Sequence, residues 1–344
     1  MKYIKNLVII SFICVLSNNV LAQNIFGEIY DENNEPLLGA TAYIEGTSLG
    51  SMTNQRGFFE IIVSSEINAS LIISYIGYEK IIIQKPKLGL KYKIYLKPKT
   101  EELNEVVLNE SIFSRKRMMR VFKEQFLGET ISGKKCIIEN ENEIYFYYDA
   151  KSKKLEAYSD VPLVIDNPYL GYKVYYDLSR FEVNYTEALT LDSNLIYSSV
   201  YSGDSRFVET DTTATVVKRR DRAFEGSITH FMRELKNNNF SEKGFQIFED
   251  GYISIPEEHF TIQDTLGMTK LTMLSTPKNR TDLNFKKTLN IVYKYNEQSK
   301  ITFSASTFYI DHFGLFSDYE IMLFSGVLTD KRIGDLLPSN YGIN

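Results

Sequence analysis

The chain has 344 residues, 43% hydrophobic and 24% charged, with a formal net charge of −5. That length can bury two sizeable cores, the balance of apolar and charged residues excludes a disordered chain, and the acidic charge argues against a general nucleic-acid binder. Tyr and Phe number 24 and 22 while Trp is absent, a bias that favours strands, since flat aromatic side chains pack well on a pleated surface.

Residues Met1 to Ala22 carry the three parts of an export signal: a basic start at Lys2 and Lys5, an apolar stretch from Leu7 to Leu16, and Val20-Leu21-Ala22 at cleavage-site spacing before Gln23. The apolar stretch is too short for a comfortable membrane span, so cleavage is expected after Ala22. Cys14 lies inside that stretch and not at its end behind small residues, which argues against a lipid anchor. Cleavage would remove two lysines and no acid, and would leave Cys136 as the single cysteine, so no internal disulfide is expected. Lys135-Cys136-Ile137-Ile138 reads as a buried strand in which the thiol acts as a small hydrophobe.

From Ile25 onward, strands are predicted near 25–30, 39–45, 49–53, 58–63, 70–76, 78–84 and 91–96, a spacing typical of a β-sandwich. Asn33-Asn34-Glu35-Pro36 is turn chemistry; Asp31 and Glu32 beside it fit no calcium-loop spacing. Gly46, Gly50 and Gly57 fall where the chain must reverse. The positions Gly27, Pro36-Leu37, Gly39-Ala40, Gly46-Thr47, Gly50, Thr53-Asn54, Gly57-Phe58-Phe59 and Tyr75-Ile76-Gly77-Tyr78 resemble the carboxypeptidase-like regulatory domain, a transthyretin-like sandwich common at the N-termini of Bacteroidota envelope proteins. The resemblance covers Ile25 to about Leu108 and implies a non-catalytic domain. It is also similar to the start of TonB-dependent receptors, and Glu101-Glu102-Leu103-Asn104-Glu105-Val106-Val107-Leu108 resembles the linker that follows the domain there. No plug sequence follows, and the remaining chain is far short of a plug with a many-stranded barrel.

In the second part, Met118, Met119, Phe122 and Phe126 make one apolar stripe and predict a helix over 111–127, capped by Ser111 or Ser114 and ended by Gly128. Its Arg115, Lys116, Arg117, Arg120 and Lys123 read as a solvated face, with lipid headgroups or nucleic acid as the competing partners. Short antiparallel strands are predicted over 143–149, 154–158, 162–167 and 170–178, the last placing Tyr172, Val174 and Tyr176 on one face. Gly203 to Phe207 and Glu209 to Thr215 read as loop. Phe224, Ile228, Phe231 and Leu235 predict a second helix over 222–236 with Gly226 inside it. Strands are expected at 269–275, 288–295, 300–309 and 315–324, and the end, 334–341, as a short turn with Leu336 and Leu337 to bury. Runs such as Leu163-Val164-Ile165-Asp166-Asn167, Leu170-Gly171-Tyr172, Arg222-Ala223-Phe224-Glu225-Gly226-Ser227 and Asp335-Leu336-Leu337-Pro338 resemble the C-terminal part of exported proteins known only by their regulatory-like domain, which implies architecture and no chemistry.

No catalytic constellation stands out. A zinc carboxypeptidase needs His-x-x-Glu and a later His, so that three ligands converge and one position stays open for water. The histidines are His230, His259 and His312; Glu234 follows His230 by four, and neither other setting fits. His230 is predicted to project away from the apolar stripe and to meet Glu234 on a helix face. Ser227 lacks a G-x-S-x-G setting, and Glu257-Glu258 point to opposite faces on a strand. Lys218-Arg219-Arg220-Asp221-Arg222 reads as a solvated start before a helix. Exposed tyrosines could stack on a ligand, although most Tyr and Phe belong to cores.

The expected architecture is therefore mainly β: a signal peptide at 1–22, a seven-stranded sandwich at 23–98, a linker at 99–111 and an α+β region at 112–344 with two main helices on antiparallel sheet. No catalytic residue, cofactor or metal ligand is expected. The resemblance implies an exported protein, periplasmic or associated with the outer membrane, in a binding or scaffolding role toward an envelope protein or a glycan. The alternative is a glycan or peptide hydrolase with its site in 112–344; an outer-membrane barrel in that half is a third.

Overall fold

The structure, a computed structural model, describes residues 23–63, 69–99, 112–240, 244–249, 251–265, 268–274, 285–317 and 321–343. The export signal, the 101–108 linker motif and Ser111 lie outside the described residues.

The first seven strands follow the expected order: β1 (Gln23–Tyr30), β2 (Thr41–Ile44), β3 (Gly50–Met52), β4 (Phe58–Val63), β5 (Leu71–Ser74), β6 (Ile81–Ile83) and β7 (Lys91–Tyr95). One sheet has the order β4-β1-β7, with β1 and β7 parallel, and the other β3-β2-β5-β6. Alternating residues, among them Ile25, Ile29, Ile44, Phe59, Ile61, Leu71, Ile73 and Ile94, fill the shared core. The turns are locally satisfied. Asp31 Oδ1 accepts from the backbone N–H of Asn33 and Glu35, at 2.9 and 2.8 Å, around Asn34 at φ 63°. Gly57 has φ 72°, and a Cβ there would stand 2.5 Å from the Ile29 carbonyl oxygen, so only glycine fits.

Helix α1 (Arg115–Phe126) buries Met118, Met119, Phe122 and Phe126 as expected, with Gly128 beyond its end at φ 90°. Ser114 occupies the N-cap but makes no side-chain cap bond. The basic face is less free than expected: Arg115 donates to the Ile144 and Glu141 carbonyls, 2.6 Å each, and Lys123 pairs with Glu141. A short helix α2 (Ile131–Lys135) follows and displaces the expected strand. Cys136 caps that helix, half-buried, and only Ile137–Ile138 (β8) are extended. Burial pushes the Cys136 thiol up to about 12, which keeps it unreactive.

Strands β9 (Tyr145–Asp149), β10 (Lys154–Tyr158), β11 (Leu163–Asn167), β12 (Tyr172–Tyr185) and β13 (Ile196–Glu209) complete a six-stranded sheet with β8. Its core packs on α1 through Phe122, Phe126 and Phe181. Tyr172, Val174 and Tyr176 are buried, as their alternation predicts. The expected loop at Gly203 to Phe207 is part of β13. It pairs with β12 residue by residue, and Gly203 passes so close to the Asp177 carbonyl that no side chain fits.

The predicted helix over 222–236 is two helices, α3 (Ala214–Phe224) and α4 (Ile228–Lys236). Gly226 breaks them at φ 67°, where a Cβ would lie 2.8 Å from the Tyr293 ring, and Ser227 caps α4 by accepting from His230 N–H. The last two residues of the polar stretch 209–215, Ala214 and Thr215, open α3, and Lys218 to Arg222 lie within α3. A third core surrounds Phe231, Met232 and Leu235 of α4. It is covered by two sheets, β15-β14-β18-β19-β21 and β16-β17-β20. These comprise β14 (Phe245–Glu249), β15 (Tyr252–Ser254), β16 (Phe260–Thr265), β17 (Met268–Met273), β18 (Lys287–Tyr293), β19 (Glu297–Phe303), β20 (Thr307–Ile310) and β21 (Met322–Gly326). The strand predicted at 300–309 breaks between β19 and β20, and that at 315–324 begins only at Met322.

The last residues cross all three cores. Gly334 N–H donates to the Leu127 carbonyl, Ser339 N–H to the Gly46 carbonyl, and Ile343 packs on the sandwich core. Among the described residues no helix is long and apolar enough to cross a membrane.

Candidate functional site

The glycine turn at Gly46 of the sandwich does more than reverse the chain. Gly46 N–H donates to the Ser205 carbonyl of β13 at 2.7 Å, and Phe207 N–H donates to the Thr47 carbonyl at 3.1 Å. The turn therefore caps the outer edge of β13, and a sheet edge with its polar groups satisfied is closed to other strands. From the other side, Ser339 N–H donates to the Gly46 carbonyl and Ser48 N–H donates to Asn340 Oδ1. Three stretches far apart in sequence meet at one turn.

An ion cluster tightens this junction. Asp177 of β12 and Asp204 of β13 are register partners, so two like charges face each other. Lys80, reaching across from the sandwich, places Nζ 2.5 Å from both carboxylates. Burial opposes the ammonium charge, but the hydrogen bonds to Asp177 and Asp204 outweigh it and hold the Lys80 pKa above its ordinary value. Glu45 joins the cluster: burial raises its carboxyl above the usual range, and the neighbouring Asp204 charge adds to the rise.

Beside the junction lies a cleft of about 630 Å³, within the range of small-ligand sites. The sandwich supplies Glu45 and Gly46, β13 supplies Ser205, the β20 end supplies Tyr309 and Asp311, and the chain end supplies Leu336 and Ser339. Asp311 is 3% exposed, and burial raises its carboxyl even though Oδ1 accepts from Phe313 and Leu315 N–H. Ser339 is 6% exposed, and its Oγ has no hydrogen-bond partner among the described residues. A buried hydroxyl left unmatched costs about 1–3 kcal/mol. Leu336 and Leu337, expected to be buried, instead line this cleft, with Leu336 exposed. Glu45, Asp311 and Ser339 carried no signal in the sequence, because three separate cores bring them together.

Arg233 holds the chain end beside this cleft. Its guanidinium donates to the carbonyls of Phe313, Tyr341 and Ser339, at 2.9, 2.8 and 2.6 Å, and burial lowers its pKa to about 10. Arg220, expected in a solvated basic patch, is 3% exposed. It donates to the Leu170, Gly171 and Asp211 carbonyls, pairs with Glu209 and lies over the Tyr172 ring. Its donors are committed to the backbone, so the patch offers no anion site there.

The three histidines stay apart in use. His230, predicted to project outward, is buried against Phe224, Phe245 and Tyr293. The reason is the break at Gly226, whose N–H donates to His230 Nδ1 at 3.1 Å and turns the ring into the core. The ring proton is then on Nε2, 4.0 Å from Glu234 Oε1. His312 is exposed in the turn after β20. His259 is fully buried and has a serine partner: Nε2 lies 2.7 Å from Ser254 Oγ, which also bonds Glu258. Lys287 Nζ lies 3.2 Å from Nδ1. A protonated lysine can only donate, so Nδ1 accepts and Nε2 carries the hydrogen. That tautomer donates to Ser254 and cannot take its proton, the reverse of what nucleophilic catalysis requires. Burial and the Lys287 charge both lower the His259 pKa and keep the ring neutral. Among the described residues no group of three or more His, Cys, Asp or Glu could hold a metal ion.

Most aromatic rings are internal, but Tyr197, Tyr252 and Tyr295 are 78%, 79% and 87% exposed.

Comparison with known proteins places the first part of the chain. Residues 25–108 match the family model of the CarboxypepD_reg-like domain. Over 95 residues the chain is 33% identical to the TonB-dependent receptor SusC of Bacteroides thetaiotaomicron, covering 27% of this chain and 9% of that receptor. The chain thus spans less than a tenth of that relative's length. Among solved structures, an N-terminal interface mutant of a type II cohesin–X-dockerin complex from Acetivibrio cellulolyticus aligns at 21% identity. That alignment covers 22% of this chain and 51% of the other, with a TM-score of 0.18. A C-terminal interface mutant of the same complex aligns at 16% identity over 32% and 79%, with a TM-score of 0.21. Scores this low carry no argument about fold or function.

Proposed function

We propose that this protein is an exported, non-enzymatic binding component of the cell envelope, and that its ligand site is the cleft at the junction of the three cores. In this proposal residues 23–98 form the regulatory-like sandwich, 99–111 a linker and 112–344 the region that completes the site. The likeness of residues 25–108 to the CarboxypepD_reg-like domain and to part of an envelope receptor supports the location and the absence of a reaction. The observation that carries the binding role is the composition of the cleft. Its walls come from all three cores, and two raised carboxyls and an unpartnered Ser339 hydroxyl stand in them. Fully matched polar groups would be expected if the junction served packing alone.

Probing the chain from Gln23 onward on glycan and peptide arrays tests this directly. A ligand whose capture is lost in Ser339→Trp is the expected result. Failure of every probe, or capture that Ser339→Trp leaves unchanged, would remove the cleft from the account. The hydrolase alternative has one feature in its favour, the Ser254–His259 contact, and a hydrolysis screen of wild type against Ser254→Ala decides it: turnover that depends on Ser254 would overturn the non-enzymatic assignment.

A further inference from the structure

The cleft's chemistry narrows what it can hold, given the binding role proposed above. We infer that its ligand is a peptide segment carrying a lysine or arginine, with the aliphatic stem against Leu315, Leu336 and Leu337 and the cationic head toward Glu45 and Asp311. Three observations lead there. First, the interior charges are acidic. Glu45 and Asp311 stand in the walls, whereas Lys85, the one lysine in the lining, is exposed. A charge in water is screened within about 10 Å, while one in a half-buried wall acts through a lower dielectric. The net field inside the cleft therefore favours a cation. Asp204, next to Glu45, is already matched by Lys80, and Asp311 has its Oδ1 on the Phe313 and Leu315 N–H groups with Lys236 Nζ 3.3 Å from its backbone carbonyl, so Glu45 is the lining carboxyl left for a ligand's cation.

Second, the apolar part of the lining is aliphatic and continuous with Met268 and Phe316. A long side chain with a charged end matches such a surface, because its methylenes bury against it while the head remains hydrogen-bonded. A neutral sugar presents hydroxyls around its whole rim and would leave several unmatched here. Third, the Ser339 hydroxyl is buried in the wall with no partner. This is independent of the acidic pair, and an ammonium or guanidinium donor supplies what it lacks.

Calorimetric titration of the chain from Gln23 onward with a blocked leucyl-lysyl-leucine peptide, its norleucine counterpart and raffinose separates the outcomes. The lysine peptide should bind at least about tenfold more tightly than the norleucine peptide, and its advantage should shrink as salt rises from 20 to 300 mM and the Debye length falls from about 20 Å to about 6 Å. Glu45→Gln, which keeps the shape and hydrogen-bonding capacity, should remove most of that advantage. Leu336→Arg, at an exposed position, should weaken both peptides, because both stems lose the leucine surface, and should weaken the lysine peptide about tenfold more than the norleucine peptide, because only the lysine meets the added charge. Equal binding of the two peptides, or raffinose binding in their place, would overturn the cationic class and leave the cleft as a binding site. No binding by any of the three, together with blank arrays, would sink both.

Discussion

The sandwich and the rest of the molecule satisfy their backbones in different ways. In the sandwich, the turns at Asp31 and Asn54 are closed by neighbours: Asp31 Oδ1 accepts from the N–H groups two and four residues ahead, and Asn54 Oδ1 accepts from Arg56 and Phe58 N–H, while the Gly46 turn reaches to the rest of the chain for its closure. Beyond residue 112, loops are held from afar by arginines. Arg220 gathers carbonyls about fifty residues upstream, Arg233 gathers those of 313, 339 and 341, and Arg332 reaches the Gln125 carbonyl. A planar guanidinium with five donors can serve several carbonyls at once, which a hydroxyl or carboxylate cannot. The first half therefore depends on local sequence, and the second on side chains arriving from distant elements. The difference predicts where single substitutions are felt.

The largest effect should come from Arg233→Met, which strands three carbonyls at the meeting point of the cores. A loss of about 3–5 kcal/mol is expected in urea unfolding, with Arg233→Lys recovering less than half because one ammonium cannot reach all three. A loss below 1 kcal/mol would break the contrast. Gly226→Ala comes next, at about 1–3 kcal/mol, since it puts a Cβ at φ 67° against the Tyr293 ring; if α3 and α4 instead fused into one longer helix, circular dichroism would show a gain in helicity.

The pH dependence of the junction gives a smaller effect. A carboxyl raised in the folded state holds its proton more firmly there than in the unfolded chain. Glu45 therefore contributes no penalty below the ordinary carboxylate range, and stability falls as pH rises from that range through its raised value. Thermal melts from pH 4 to 8 should show a flatter profile for Glu45→Gln than for wild type, and an unchanged profile would mean that Glu45 is not the group behind the pH dependence. The smallest effect is expected at Ser114→Ala. Ser114 makes no side-chain cap bond, so the change should stay within about 0.5 kcal/mol even though a capping serine is ordinarily worth more.

Much of the fold was legible where the signal is short-range. Turn glycines and alternating apolar residues located the seven strands of the sandwich, and the Met118-Met119-Phe122-Phe126 stripe located α1. The misplaced elements share a cause. Gly226 looked like a tolerated helix residue because the ring that leaves no room for a Cβ there, Tyr293, lies some seventy residues on. Gly203 to Phe207 looked like loop because their strand partner is β12 and their outer cap is the turn at Gly46. His230 was assigned to the solvent face of one helix and belongs to the start of another.

By itself the sequence determined the sandwich, the strand-rich character of the remainder and the first long helix, because each rests on patterns that repeat every two to four residues. Only the tertiary structure decided the cleft. Glu45 lies more than two hundred residues before Asp311 and Ser339, and the three share no motif; they line one cleft because Gly46, β13 and the chain end exchange backbone hydrogen bonds at a single junction. Burial there, and not residue type, is what raises the two carboxyls and isolates the hydroxyl.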